Sequence, residues 1–493
     1  MSPGLLNRAV GGQFSVIQNP LDQPIDNQPI TLLDENDLLK DSQALDDVLT
    51  ATIVKSEEYP IDLPVVLRLV EAQNLTFEMD QVGVKQRSNL YYRALSQMLP
   101  DIQGTYNQSR FQGSIQVFGS QTIQVYQTRI VPQLTIQWQL NPGGRDVFTA
   151  LAARQRAKGS KSLLENTLQD QLTQATNEYY ELLSTTVQAA NVKVNIQEAQ
   201  SLVALNDARL KAGVGTKLDL ERARTQLVER EQELLIAENA QAQAQQALLN
   251  RLNLEPDVGL IIPQAAIQPR VLVPLTVSST QLIARALQNN PNLKAIDTEI
   301  KALGYEGKAV LSSIVPTVTL QTYINGTGPA FDKLGLGRFG GISVQANLLN
   351  ELGTGIPLDY RTARLAVKHK EIERQQQVRN LQSQVVSAYL DSRASAKAIL
   401  TTREQLSVAK EAYRLAVGRS RAGVGVNVDV QNALSALSLA RVSVVRSILD
   451  FNRAQVRLLQ ALGDVTTPHI LNGMDTNAFV STAKTAKNIS KNQ

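Results

Sequence analysis

Two long stretches of the chain repeat apolar residues at the spacing of an α-helix. The first runs without proline from about residue 145 to 210, and the second from about 358 to 418. In the first stretch, apolar or ring positions three and four residues apart fall at Leu164, Leu168, Leu172, Ala175, Tyr179 and Leu182. Because residues at this spacing share one helix face, each stretch is predicted to be a single long helix.

Each long helix is followed by a shorter helical segment whose apolar residues recur every seventh position. These segments run from about 218 to 252 and from about 428 to 462. The seventh positions are Leu220, Leu227, Leu234, Gln241 and Leu248, then Val430, Leu437, Val444, Phe451 and Leu458. A sustained step of seven predicts left-handed coiled-coil packing, so each pair of helices is predicted to form a long hairpin.

A different pattern, the strict alternation of apolar and polar residues, lies upstream of each long helix. Alternating runs cover 132–140, 318–324 and 342–348, with a weaker run at 102–106. Period two predicts strands with one apolar and one polar face. Two strand pairs are therefore predicted, with 107–120 and 325–341 as their connections. The candidate outward-facing apolar residues are Leu134, Ile136, Trp138, Leu140, Ile342, Val344 and Leu348.

Both halves of the chain carry this arrangement at a constant offset. Gly213 matches Gly423 at 423 − 213 = 210, and further upstream Pro100 matches Pro316 at 316 − 100 = 216. A repeat this long predicts two copies of one structural unit. The predicted regions are an acidic N-terminal extension (1–60), a first repeat (64–253), a linker (254–280), a second repeat (281–463) and a polar C-terminal tail (464–493).

The predicted sheet is difficult to place in a soluble protein. A four-stranded sheet with a continuous apolar face and open edges would aggregate. If several chains contribute strands to one closed barrel, the apolar face contacts lipid and the Gln- and Thr-rich face lines water. The pattern therefore favours a membrane β-barrel shared between copies, with a small soluble sheet packed on helices as the alternative.

Composition excludes several classes of function. The chain has no cysteine and only two histidines, so we expect no disulfide, no metal site and no cofactor. There is no apolar run of about 18 residues, and basic residues do not cluster with aromatic ones. Neither a transmembrane helix nor nucleic-acid binding is therefore predicted. Residues 1–20 lack a basic start followed by an apolar stretch, so we expect no signal peptide within this chain.

A glycine pattern at Gly335, Gly337 and Gly340 matches the spacing of a dinucleotide-binding turn. That turn requires a helix after it, whereas a predicted strand follows here, so we interpret the pattern as a hairpin loop. Paired carboxylates in a defined site and a nucleophile motif are both absent from the sequence, and we do not expect an enzyme.

A Gly-x-Gly turn joins the two helices of each hairpin, and an acid follows each turn, at Asp219 and Asp429. The turn residues are Gly213, Val214, Gly215, Gly423, Val424 and Gly425. Other recurrent segments are Leu99-Pro100, Val315-Pro316, Trp138-x-Leu140-x-x-Gly143-Gly144, Glu178-Tyr179-Tyr180-Glu181-Leu182 and Ala388-Tyr389-Leu390-Asp391. In this order they resemble the TolC family of outer-membrane efflux proteins, over about 64–464.

The resemblance implies a mostly α fold with a small β part. Long coiled-coil helical hairpins would form an α-barrel, and four strands per chain would contribute to a trimeric transmembrane β-barrel in outer-membrane lipid. It implies a homotrimeric, passive exit duct for tripartite efflux or type I secretion. A periplasmic adaptor protein would open the duct, and an inner-membrane transporter would drive export. A soluble coiled-coil scaffold is the alternative.

The resemblance also assigns roles to the turns. They would be the periplasmic tips that contact the adaptor. Asp429 would line the constricted entrance as the candidate gate. Asn432 belongs to the same candidate gate, and it stands where a second acidic ring can lie in the family. Gly425 stands where well-known members carry an arginine that holds the closed state, so different gate contacts are expected here. Asp219 is expected to have a structural role in the first turn of its helix.

Overall fold

The computed structural model describes residues 58–117, 121–256, 258–262, 267–346, 354–422, 424 and 427–474. Its helices are α1 (Leu63–Gln73), α2 (Leu75–Ser96), α3 (Arg145–Lys211), α4 (Lys217–Leu252), α5 (Ser279–Asn289), α6 (Pro291–Ser312), α7 (Gly355–Arg421), α8 (Asn427–Leu462) and α9 (Thr467–Asn472). The strands are β1 (Glu58–Pro60), β2 (Asp101–Val117), β3 (Gln121–Leu140), β4 (Gly259–Ile261), β5 (Thr317–Thr327) and β6 (Gly335–Gln345).

The chain divides into two compact units. The tip unit comprises Met1–Asn74, Gln169–Arg285 and Gln384–Gln493, and it contains both Gly-x-Gly turns. The sheet unit comprises Leu75–Leu168 and Ala286–Ser383, and it contains the four longer strands. The long helices α3 and α7 each contribute residues to both units.

All four helices predicted from the apolar spacing are present within a few residues of the predicted bounds. Helix α3 is unbroken at Gly159, its one internal glycine, although glycine weakens a helix. A Cβ atom at Gly159 would overlap the Oγ1 atom of Thr298 on α6. The glycine is therefore required by the close approach of these two helices in the sheet unit.

The sheet has the strand order β2-β3-β5-β6, and every neighbouring pair is antiparallel. Its register aligns the predicted apolar positions, since Trp138 pairs with Leu320 and Leu320 pairs with Ile342. All four predicted strands are confirmed. Strands β2 and β6 are the sheet edges within one chain.

The predicted connections 107–120 and 325–341 are wrong in their extent. Strand β2 continues to Val117 and β3 begins at Gln121, so most of 107–120 is a paired ribbon. Strand β6 begins at Gly335, so the glycine pattern that we interpreted as a loop lies in a strand. These two segments are rich in Gln, Ser and Gly, so their sequences show no clear alternation of apolar and polar residues. Backbone hydrogen bonds to the neighbouring strands keep both segments extended.

The tip unit has its core along α8. Phe451, Leu458 and Leu459 are buried, and similar buried residues recur along the whole helix. The segment that precedes α5 also packs here, because β4 pairs in parallel with β1 and the side chains of Asn452 and Gln455 bind its backbone. Polar side chains of α8 thus accept hydrogen bonds from backbone amides of a non-helical segment, and these amides would otherwise be buried without partners.

Candidate functional site

The first Gly-x-Gly turn ends α3 with a Schellman motif. The Val214 amide donates to the Arg209 carbonyl at 3.0 Å, and the Gly213 amide donates to the Leu210 carbonyl at 3.0 Å. Gly213 has a φ of 74°, the left-handed conformation that this motif requires and that glycine adopts without strain. The turn is therefore closed by its own backbone.

Gly215 has a different requirement, which is space. Its amide also donates to the Arg209 carbonyl at 3.0 Å, and a Cβ atom there would lie 3.0 Å from the Leu210 nitrogen. Thr216 then caps α4, because its Oγ1 accepts a hydrogen bond from the Asp219 amide at 3.1 Å. The Thr216 hydroxyl also donates to the Asp219 carboxylate, which fits the structural role predicted for this acid.

The second tip follows the same route where the structure describes it. Helix α7 ends at Arg421, and the Val424 amide donates to the Arg419 carbonyl at 3.2 Å, as Val214 does to Arg209. Gly423 and Gly425 lie outside the described residues. Val214 is 79% exposed and Val424 is 74% exposed, so each turn presents an apolar side chain to solvent.

The two candidate gate residues lie on the first turns of α8. Asp429 and Asn432 are both exposed. Asp429 has no ion-pair partner among the residues whose side chains the structure describes. An exposed carboxylate at the first turn of a helix is favoured by the helix dipole and can bind cations from solution.

Arg209, the first residue of the repeated turn motif, for which the sequence predicts no contact, connects the two tips. Its guanidinium donates a hydrogen bond to the backbone carbonyl of Ser420 and, at 3.3 Å, to the Ser420 hydroxyl. Ser420 is buried in the last turn of α7. The sequence carries no local signal for this contact, because its two residues are 211 positions apart.

A polar seam continues away from the tips, where α3 meets α8. The side-chain amides of Asn191 and Asn195 both donate to the Ser438 hydroxyl, at 2.9 and 2.6 Å. Glu198 lies 3.7 Å from Arg441. Burial raises the pKa of the Glu198 carboxyl, and Arg441 acts in the opposite direction. Polar and charged contacts thus supply much of the connection between the first repeat and α8.

The predicted outward residues share one face of the sheet. Ile342 is 73% exposed, Val344 is 66% exposed, and Leu134, Ile136 and Trp138 are exposed as well. Leu140 is half-buried, and Leu348 lies outside the described residues. The Trp138 indole nitrogen donates to the Met98 carbonyl at 2.9 Å. The sheet therefore has a broad apolar face that the described residues leave exposed.

The described part of the chain offers neither a metal site nor a membrane-spanning helix. Among its residues, there is no cluster of three or more His, Cys, Asp or Glu side chains that could hold a metal ion. None of the helices there is both long enough and apolar enough to cross a membrane.

Comparison with known proteins gives one consistent family. The family model for "Outer membrane efflux protein" matches residues 66–254 and 282–464. Outer membrane efflux protein BepC of Brucella suis biovar 1 (strain 1330) is 23% identical over 434 residues, which cover 88% of this chain and 89% of BepC.

Solved structures support the same fold. The outer-membrane channel OprN aligns with a TM-score of 0.70 at 16% identity, over 91% of this chain and 100% of that chain. The Campylobacter jejuni CmeC outer membrane channel aligns with a TM-score of 0.71 at 15% identity, over 92% and 99%. The predicted fold class, long helical hairpins with a small β part of the TolC type, is thereby confirmed.

Proposed function

This chain belongs to the outer membrane efflux protein family, and from that premise we propose that three copies form one gated exit duct. The chain is a passive outer-membrane channel protein, which sets aside the soluble scaffold and the enzyme. In the proposed trimer, twelve strands close a barrel in lipid and the helical hairpins enclose a tunnel in the periplasm. A periplasmic adaptor opens the tunnel, and an inner-membrane transporter drives export.

The observation that carries this proposal is the uncovered apolar face of the sheet. Ile342 and Val344 on the edge strand β6 are exposed, and among the strands that the structure describes β2 and β6 each have one pairing partner. Closure with strands from other copies would satisfy both edges and turn this face toward lipid. Membrane β-barrels carry aromatic girdles at both borders of their lipid-facing surface. Trp138 lies near one end of β3, and the stacked rings of Tyr106 and Phe331 lie further along the sheet, as such girdles would.

Exposed heptads support the assembly of several copies. Leu358, Leu365 and Ile372 step by seven along α7, and they are 57%, 62% and 53% exposed. On α4, Val228 and Leu235 are also seven residues apart and are 63% and 69% exposed. Apolar residues at this spacing normally pack against another helix, and we assign these two stripes to contacts between copies.

The tips are the proposed adaptor contacts. Val214 and Val424 are exposed apolar residues on turns whose backbone is fixed by hydrogen bonds to Arg209 and Arg419. Small apolar projections of this kind fit between side chains of a partner helix, and the open space beside Gly213 leaves room for its approach. We propose Asp429 and Asn432 of the three copies as a polar ring at the tunnel entrance.

Conductance of the purified protein in a planar lipid bilayer tests the proposed function. We expect the wild type to insert and conduct poorly, and Asp429→Asn to weaken the block by divalent cations. Asp219→Asn is the matched control, because Asp219 occupies the corresponding position but is bound to Thr216. Absence of conductance for the wild type and both variants would contradict the channel. Equal cation block in all three would contradict the role of Asp429 alone.

A further inference from the structure

An open groove lies on the outward face of the sheet, near the turn between β5 and β6. Its volume is about 490 Å³, and all of its lining residues belong to the sheet unit. Gly104 and Gly326 leave part of its floor without side chains. Its apolar and aromatic lining residues are Tyr106, Pro132, Leu134, Ile324, Leu334 and Leu336. Because a trough offers dispersion contacts on several sides, it holds a hydrocarbon chain better than a flat face does.

The connections of the strands place this groove away from the end of the sheet that joins the helices. Strand β2 follows α2 and β3 precedes α3, while β5 follows α6 and β6 precedes α7, so all four strands join helices at one end. The groove lies toward the other end, beside the turn that contains Leu334. In the proposed duct the helices are periplasmic, and the groove then faces the outer leaflet of the membrane.

Positive charge dominates this part of the sheet unit. Between residues 102 and 140 and between 317 and 345, the sequence contains four cations and one acid, which are Arg110, Arg129, Lys333, Arg338 and Asp332. Clustered cations of this kind attract anionic lipid headgroups at a membrane surface. The partner of the groove is therefore expected to combine a hydrocarbon chain with an anionic group.

Arg338 is the cation that the register of the sheet places beside the groove. It pairs with Ile324, which in turn pairs with Leu134, so all three residues share the outward face. Its side chain is exposed, and none of the side chains that the structure describes forms an ion pair with it. An arginine on a lipid-facing strand is costly unless its charge reaches a polar partner at the membrane surface. A phosphate group would be such a partner, because a guanidinium can bind it with two hydrogen bonds.

We propose that the groove binds one acyl chain of a phosphorylated glycolipid of the lipid A type, and that Arg338 binds its phosphate. This inference rests on the proposed function, which places the outward face of the sheet in an outer membrane. The outer leaflet of such membranes contains this glycolipid, whereas phospholipid occupies the inner leaflet. The position of the groove at the outer end of the sheet therefore selects the glycolipid.

Native mass spectrometry of the purified protein in detergent, titrated with lipid A, tests the groove. In Gly104→Leu the new side chain enters the groove, where a Cβ atom would meet open space. Gly340→Leu is the matched control, because Gly340 pairs with Thr322 on the same face and is also open but does not line the groove. Lipid A binding is expected to weaken by roughly tenfold in Gly104→Leu, through lost dispersion contacts, and to stay at the wild-type level in Gly340→Leu.

A second pair of variants tests the phosphate contact without altering the groove. Arg338→Gln is expected to lose about tenfold in affinity for lipid A, which corresponds to one charge-assisted hydrogen bond, and to lose nothing for dephosphorylated lipid A. Arg129→Gln is the matched control, because Arg129 is exposed and lies on the opposite face of the sheet. It is expected to bind both lipids as the wild type does.

Three results would overturn the proposed site. They are equal lipid A binding by Gly104→Leu and Gly340→Leu, an equal loss for both lipids in Arg338→Gln, and equal binding of phosphatidylglycerol and lipid A by the wild type. The last result would assign the groove to a phospholipid. The same spectra count the chains in each complex, so a trimer that binds no lipid A contradicts only the groove. Absence of a trimer would contradict the proposed function itself.

Discussion

The shorter helices of the two repeats, α4 and α8, carry the same step of seven but bury it to different depths. On α8 every seventh residue is buried, from Val430 at 2% exposure to Phe451 at 0%. On α4 only the outer members of the series, Leu220 and Leu248, are buried, and the positions between them are half-buried. Identical periodicity thus predicts the same helix in both repeats, but it does not predict the same environment.

The difference follows from how much of each helix is covered by its neighbours. Helix α8 packs against α7 through Leu437 and Ala440, and against α3 through Val430 and Leu434. Helix α4 packs against α3 through Ala237, and near its C-terminal end, at Arg251, it also contacts the end of α1. A helix with neighbours on two sides buries most of its surface, whereas one at the margin of the unit buries a single stripe. Duplication has therefore produced a central helix and a peripheral helix from one pattern.

The largest difference between α8 and α4 is expected when one side chain is truncated to alanine at equivalent positions of the two helices. Phe451 corresponds to Gln241, and Phe451 is fully buried whereas Gln241 is half-buried. Phe451→Ala should leave a cavity and lower the free energy of unfolding by about 3–5 kcal/mol. Gln241→Ala should change it by less than about 0.5 kcal/mol. Loss of the helical circular dichroism signal in urea measures both, and similar losses for the two variants would contradict the central position of α8.

The sequence predicted the regular parts of this molecule well. The bounds of α3 and α8 follow from apolar spacing alone, because a long helix presents many turns that agree with each other. The strand ribbon at 107–117 was missed, since its Gln and Ser residues show no apolar face and its pairing partner fixes its conformation. Helix length is local information, whereas strand length depends on the neighbouring strand.

The candidate site could be predicted only in part for the same reason. Repeated glycines located both tips, and Asp219 was recognisable as an acid in the first turn of the helix that follows. The Arg209 contact with Ser420 has no such pattern, because nothing in either local segment specifies its partner. Sequence repeats show which positions are equivalent, but a bond between two non-equivalent positions emerges only from the packing of one repeat on the other.

The caps of the two tips offer a smaller test of the comparison. Thr216→Val gives the first tip the residue that stands at 426 in the second. Loss of the hydrogen bond from the Asp219 amide should destabilise the first turn of α4 by about 1 kcal/mol. Hydrogen–deuterium exchange of residues 217–220 should accelerate by roughly fivefold. Val426→Thr is the reciprocal variant and should slow exchange in the first turn of α8. Unaltered exchange in Thr216→Val would show that the turn backbone alone fixes α4.

The smallest effect is expected at the polar seam, which the repeat does not duplicate. Glu198 corresponds to Val408, which is 64% exposed, so the second repeat has no equivalent carboxyl. Burial raises the pKa of Glu198 above its ordinary value of 4.5, so the folded chain holds this proton more tightly than the unfolded chain. Its contribution to stability is therefore complete below 4.5 and is lost as the pH rises through the folded-state pKa.

Glu198→Gln should accordingly be more stable than the wild type at neutral pH, and the difference should disappear at about pH 4. Thermal unfolding midpoints in detergent at the two pH values measure this. Glu221→Gln is the control, because the pair of Glu221 with Arg224 is exposed and should contribute little at either pH. A variant less stable than the wild type at neutral pH would mean that attraction to Arg441 outweighs burial. In that case ionisation of Glu198 would stabilise the contact between α3 and α8, and its ion pair with Arg441 would help to hold the two repeats together.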